Sequence, residues 1–158
     1  MSEALSPAAE RVQELLRAAG SEARVRQLPV TARTAAEAAA AIGCTVAQIA
    51  KSLVFKTRSG KPVLVIASGV NRVDEAKIAA ALGEPIGKAD ASFVRDTTGY
   101  AIGGVAPIGH AMPPRIFIDR DLRQHEILWA AAGHPHAVFP VTPAELERLT
   151  HGTVIEAK

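Results

Sequence analysis

Three places in this chain carry residues able to do chemistry. Lys51 stands where a short helical turn capped by Thr45 gives way to the apolar run Ser52–Thr57. Its ammonium is a compact point charge suited to a phosphate or a carbonyl oxygen, although a lysine opening a buried strand can equally snorkel to solvent. The stretch Ala101–Gly109, AIGGVAPIG, holds three glycines and one proline. Glycines let a backbone approach a ligand closely, and inward-pointing amides can stabilise an oxyanion forming on an ester carbonyl; a purely structural turn would read the same way. Its spacing is neither a dinucleotide fingerprint nor a P-loop. The third place is Gly133-His134-Pro135-His136. Two histidines at i, i+2 could ligate a metal, but no third ligand accompanies them, and a turn histidine is more often polar surface.

Standard hydrolytic apparatus is missing from the sequence. There is no GxSxG elbow and no visible Ser-His-Asp or Cys-His set. That fits an enzyme that positions its substrate and lets the substrate assist. Cys44, the only cysteine, sits among Ala, Ile and Val. It reads as a small core hydrophobe rather than a nucleophile, because nothing near it in sequence would lower its pKa. One cysteine excludes an internal disulfide and favours a cytoplasmic setting.

The elements that must position these groups are marked by their caps. Ser6-Pro7 opens a helix that Gly20 stops, with Val12, Leu15, Leu16 and Ala19 as its apolar stripe. Ala23–Leu28 alternates as a short strand. Thr34 caps TAAEAAAAIG, with Glu37 completing a capping box. Ser52–Thr57 and Pro62–Ala67 are strands joined by a tight Ser59-Gly60 hairpin. The second is apolar throughout and should be central. Asp74 and Asp90 cap two further helices, EAKIAAALG and ASFVRDTTG. Arg115–Asp119, Ile127–Ala131 and Ala137–Val141 read as strands, Thr142-Pro143 opens a last helix, and Thr153–Glu156 closes the chain as a strand. The interspersed order predicts one domain, residues 1–158, of the mixed α/β class: a partly open β-barrel or mixed sheet flanked by helices.

Composition agrees with a globular fold: 48% of the 158 residues are hydrophobic and 22% charged. No apolar run is long enough to cross a bilayer, and the polar, acidic start does not read as a signal peptide. Eighteen basic against 16 acidic residues give a net charge of only +2. The distribution is uneven, however. Residues 38–73 carry Lys51, Lys56, Arg58, Lys61 and Arg72 and no acid. Such a field can attract a polyanion, though lysines guarding a strand edge would look alike.

Taken in order, TAAEAAAAIGCTVAQIAKSLVF, SGKPVLVIASG, NRVDEAKIAAALG, YAIGGVAPIGH, RIFIDRDL and AAGHPHAVFPVTPAEL resemble the YbaK and prolyl-tRNA-synthetase-associated editing-domain family over nearly the whole chain. The resemblance implies that family's mixed α/β fold and its activity, hydrolysis of the ester joining a wrong amino acid to tRNA, often tRNA for proline. It implies that Lys51 helps hold the terminal adenosine. It implies that the backbone of Gly103, Gly104, Val105, Ala106 and Pro107 positions the aminoacyl carbonyl, and that Ser52, Ile102, Gly133 and His134 lie against substrate. A tRNA ribose hydroxyl would assist the attacking water, with no metal and no cofactor. The implied partner is the acceptor end of an aminoacyl-tRNA, with an aminoacyl-tRNA synthetase as a second candidate. Six aromatics are too few for an extensive base-stacking platform. A non-catalytic tRNA- or synthetase-binding module, and a hydrolase of other small acyl esters, are the competing readings. Ala, Cys, Ser and Thr are all small enough to be the amino acid removed.

Overall fold

The computed structural model describes residues 5–158; the first four residues of the polar start lie outside them. Among the described residues five α-helices are α1 (Pro7–Ala18), α2 (Ala35–Ile42), α3 (Glu75–Leu82), α4 (Ala91–Thr98) and α5 (Pro143–Thr150). Eight strands are β1 (Arg26–Gln27), β2 (Ile49–Thr57), β3 (Pro62–Ser68), β4 (Ile86–Lys88), β5 (Arg115–Asp119), β6 (Leu128–Ala131), β7 (Ala137–Val141) and β8 (Thr153–Ile155). They form one open mixed sheet in the order β1-β7-β6-β2-β3-β5-β8, with β4 added beside β2. The expected mixed α/β sheet flanked by helices is therefore what the chain forms.

Every helix starts at the cap its sequence announces. Ser6, Asp74, Asp90 and Thr142 each accept a bond from an amide in the first turn, and Thr34 with Glu37 forms the full capping box. The all-apolar β3 is buried from end to end because both of its faces are covered. Its period-2 alternation sends Leu64 and Ile66 into a core with Val12 and Leu16 of α1. Val63 and Val65 go into a second core with Ile78 of α3 and Phe117 of β5.

Three elements differ from expectation. The strand at residues 23–28 shrinks to Arg26–Gln27 because Gln13 intercepts its backbone. The Gln13 Nε2 donates to the Ala23 carbonyl, and its Oε1 accepts from the Val25 amide. Gln13 accordingly replaces exposed Ala19 on the buried side of α1. Strand β2 begins at Ile49 rather than Ser52, since Ile49 and Ala50 pair in parallel with Trp129 and Ala130 of β6. Lys51 is thus the third residue of a strand, not a junction residue. Finally, β4 is a strand that residues 86–88 do not advertise: three residues after a proline, with a glycine in the middle.

Candidate functional site

The site begins with a gap in the sheet. On one side β2 pairs continuously with β3, from Ala50 to Lys56. On its other side, β6 covers only Ile49 and Ala50, and β4 only Phe55 to Thr57. Residues 51–54 therefore have no partner strand along that edge. The ladder fixes which main-chain groups face the gap. Gly69 N donates to Ile49 O and Thr57 N to Lys61 O, each at 2.8 Å, so the odd residues of β2 bond to β3 and the even ones face away. Ala50 meets β6 and Lys56 meets β4. Ser52 and Val54, the even residues between them, face the opening, and Ser52 stands nearer its β6 end. The buried Ser52 Oγ also lacks a partner. A buried polar atom left unbonded is uncommon and needs an explanation.

The loop between α4 and β5 closes over this gap. It is tied down from behind. The hydroxyl of Tyr100, itself buried, donates to the Ile108 carbonyl at 2.8 Å and accepts from the Arg11 guanidinium at 3.3 Å. The His110 Nε2 lies 2.7 Å from the Ala106 carbonyl, so that nitrogen carries the proton. Burial pushes the His110 pKa down, against the opposing pull of the Ala106 bond, and favours the neutral ring. Within the loop, Gly104 N closes a turn onto Ala101 O.

Glycine is required at two adjacent positions for different reasons. Gly103 has φ of 90°, and a Cβ there would come 2.9 Å from Arg33 Cγ. At Gly104 a Cβ would come 2.9 Å from both Cα and N of His134, main-chain atoms that cannot swing aside.

The result is a two-lobed cleft. The first lobe encloses about 240 Å³. Its floor is small and apolar, from Ala35 and Ala38 of α2 to Ala130 and Ala131 of β6, and its rim carries Lys51, Arg33 and Trp129. The second lobe, also about 240 Å³, lies toward β4 and α4 between Phe55, Val94 and Lys88. Both share Ser52, Leu53, Ile102, Gly103 and Val105 as a common wall.

Lys51 forms no ion pair among the described residues. Partial burial pushes its pKa below the ordinary lysine value, while the attraction of Asp119 works in the opposite sense. Asp119 is fully buried and held by the Ser68 amide (3.1 Å), the Asn71 side chain (2.8 Å) and the Asp121 amide (3.0 Å).

Of the residues singled out in the sequence, Lys51, Ser52, Ile102, Gly103 and Val105 line the first lobe together. Gly104, Ala106 and Pro107 are buried in the same loop behind that wall. Gly133 and His134 do not line either lobe. Gly133 backs the Tyr100 ring and the Ala8 carbonyl, and His134 supports Gly104 while its Nδ1 accepts from the His136 amide at 3.1 Å. Arg33, Trp129 and Lys88 were not marked as site residues by any sequence pattern, although Trp129 is the sole tryptophan, and Asp119 was marked only as the end of a strand within RIFIDRDL.

Cys44 lies outside the cleft, packed beside the small cluster of Ala38, Ala39 and Ile49. Burial raises its thiol pKa, the wrong direction for a thiolate nucleophile. Cys44→Ser is therefore expected to leave any turnover at the cleft within about twofold of the parent, checked by initial rates of parent and variant side by side; a folded variant that lost that turnover would refute a packing role.

No helix among the described residues is long and apolar enough to cross a membrane. Comparison with known proteins adds the following. The profile of the aminoacyl-tRNA editing domain matches residues 30–149. A crystal structure described as a "putative trans-editing enzyme for prolyl tRNA synthetase" superposes with a TM-score of 0.92 at 45% identity, covering 98% of this chain and 99% of that one. The Bacillus subtilis protein YwhH is 29% identical over 82% of this chain and 83% of its own. An Enterococcus faecalis protein named "Putative Cys-tRNA(Pro)/Cys-tRNA(Cys) deacylase EbsC" is 27% identical over 78% of this chain and 76% of its own.

Proposed function

Because this chain belongs to the family of aminoacyl-tRNA editing domains, we propose that it is a free-standing deacylase removing a small, wrongly attached amino acid from tRNA, with tRNA for proline as the preferred carrier. The observation that carries the reading is that Lys51 and the Gly103–Val105 turn stand on walls of one cavity that opens through an unpaired strand edge. The names of the relatives support proline tRNA as carrier and a prolyl-tRNA synthetase as the enzyme it serves.

In this reading the side chain of the amino acid enters the alanine-floored first lobe, where bulk is rejected by contact. Gly103 and Val105 offer amide N–H groups to the ester carbonyl and to the oxyanion that develops on it. The Lys51 ammonium holds the ribose-phosphate end at the rim. Water adds to the carbonyl carbon, and the carbon–oxygen bond to the ribose then breaks. The proton of the water passes by way of the neighbouring ribose hydroxyl to the departing oxygen. The products are the free amino acid and uncharged tRNA. An aminoacyl ester is already activated, so orientation and exclusion of bulk water supply much of the rate.

The test is a panel of tRNAs charged with Ala, Ser, Cys, Thr and Pro, incubated with the purified protein. Ester loss should exceed the uncatalysed rate for at least one small amino acid on proline tRNA and not for the cognate proline ester. Decay of every pair at the background rate, with charged tRNA still bound, would instead select a non-catalytic binding module. Equal cleavage of free aminoacyl esters would favour a general esterase.

A further inference from the structure

The glycine loop owes its shape to two side chains. From Val105 to His110 its backbone makes no hydrogen bond to another main-chain group among the described residues. Pro107 has no N–H, so the peptide before it can be held only through the Ala106 carbonyl. The His110 Nε2 takes that carbonyl at 2.7 Å. Two residues further on, the Tyr100 hydroxyl takes the Ile108 carbonyl at 2.8 Å. The two rings also brace each other edge to face, with centroids 6.0 Å apart and planes at 85°. Tyr100 has no room to swing away. It is only 2% exposed, the Arg11 guanidinium of α1 donates to its hydroxyl at 3.3 Å, and a Cβ at Gly109 would come 2.8 Å from that hydroxyl. Neither His110 nor Tyr100 lines either lobe of the cleft, so neither reaches a reacting group.

We propose that His110 and Tyr100 are positioning residues, a two-point latch that keeps the Gly103–Val105 turn aimed into the cleft. Its effect on rate rests on the deacylase reading; the latch itself belongs to the free protein. The turn is closed at its near end by Gly104 N on Ala101 O. At its far end Val105 runs straight into Ala106, and the His110 bond is the first fixed point the chain meets. Ala106 is wholly buried. Without His110 its carbonyl loses its partner, and the backbone must move to find another donor. The state of the ring matters too. Burial holds the His110 pKa below the ordinary histidine value, against the pull of the Ala106 bond, and the Arg11 guanidinium adds to the depression. The ionisable groups that face the ring are Arg11 from α1 and Tyr100 from the start of the loop, and burial raises the Tyr100 pKa, keeping it a neutral hydroxyl. Beyond the ring the chain is fixed to α4 by main-chain bonds, Ala111 N to Thr98 O and Met112 N to Thr97 O. A second proton, on Nδ1, sets a cation against the guanidinium that holds Tyr100. The neutral ring persists above its pKa and is lost as pH falls through it, so the latch weakens on the acid side of the ordinary histidine range.

The experiment pairs amide hydrogen exchange on the free, full-length protein with steady-state deacylation of charged tRNA. It compares two polar replacements of similar size. The amide nitrogen of Gln takes the place of the histidine Nε2 and can remake the Ala106 bond; that of Asn takes the place of Nδ1 and cannot. His110→Asn should speed exchange at the Gly104 amide, the bond that closes the turn, by about tenfold. It should lower kcat by about the same factor while KM stays within about twofold. His110→Gln should recover both toward the parent. Tyr100→Phe keeps the ring, loses both bonds of the hydroxyl and should behave as His110→Asn does. In the parent, kcat should fall on the acid side of the ordinary histidine range, and His110→Gln should lack that limb. Parent-like exchange in His110→Asn, equal losses in the Asn and Gln variants, or an effect confined to KM would overturn the latch. An acid limb that survives in His110→Gln would overturn its sensitivity to pH. The exchange arm separates this inference from its premise. The expected exchange pattern in a protein that cleaves no charged tRNA sinks only the editing reaction. Deacylation with parent-like exchange and kcat in His110→Asn sinks only the latch.

Discussion

Lys51→Ala is expected to cut kcat/KM on charged tRNA by roughly 10²-fold, the order of loss that follows when a contact that positions the substrate for reaction is removed. The same change should not lower the melting temperature. The lysine is half-buried without an ion-pair partner, and burial outweighs the attraction of Asp119 in setting its pKa below the ordinary lysine value. Its charge is therefore held at a cost to folding, and removal relieves that cost. Activity lost at undiminished stability is the signature of a group kept for its chemistry. A variant that lost both would point to an architectural lysine.

The same depressed pKa gives the reaction an alkaline limb. The ammonium is present below its pKa and disappears as pH rises through it, so enzymatic turnover, corrected for the faster background hydrolysis of the ester, should fall at a lower pH than an ordinary lysine would allow. Lys51→Arg keeps a cation that does not deprotonate. It should retain part of the rate and lose the alkaline limb. A limb unchanged in Lys51→Arg would assign the titration to another group.

Most of the scaffold for this chemistry was legible in the residues themselves. Caps at Ser6, Thr34, Asp74, Asp90 and Thr142 are local signals, decided within four residues, and each starts its helix as read. The unbroken apolar run of β3 announced burial on both faces. What escaped depends on partners distant in sequence. Ile49 and Ala50 become strand only because Trp129 and Ala130 lie beside them. Arg26–Gln27 is short only because Gln13 reaches across from α1. The gap at residues 51–54 is invisible in sequence, because it arises where two unrelated strands stop short on the same edge. For the same reason Lys51 and the glycine loop could be named from their residue types and the resemblance, whereas Arg33, Trp129 and Lys88 could not. An exposed cation or a lone indole carries no pattern until the fold supplies its neighbours.

The other large effect concerns Gly104, which touches neither lobe. Its amide is already used in the turn to Ala101 and it has no left-handed φ, so its need for glycine is one of space alone. A methyl there meets Cα and N of His134 at 2.9 Å, and neither backbone can yield without moving the segment it belongs to. The 133–136 turn is fastened by the Leu28 and Ala32 amides, which donate to the His136 and Pro135 carbonyls, each at 2.6 Å. The loop that carries Gly103 and Val105 is the part that shifts. Gly104→Ala should therefore lower kcat by about 10²-fold, as displacements of order 1 Å do to positioned reactions, with only a modest loss of stability from overpacking. Because the clash is with main chain, trimming the neighbour in Gly104→Ala/His134→Ala should restore nothing. Rescue by the double variant would move the conflict to the imidazole and give His134 a direct role. Full activity in Gly104→Ala would mean that the loop is free to adjust, and that amide placement at Gly103 does not govern the rate.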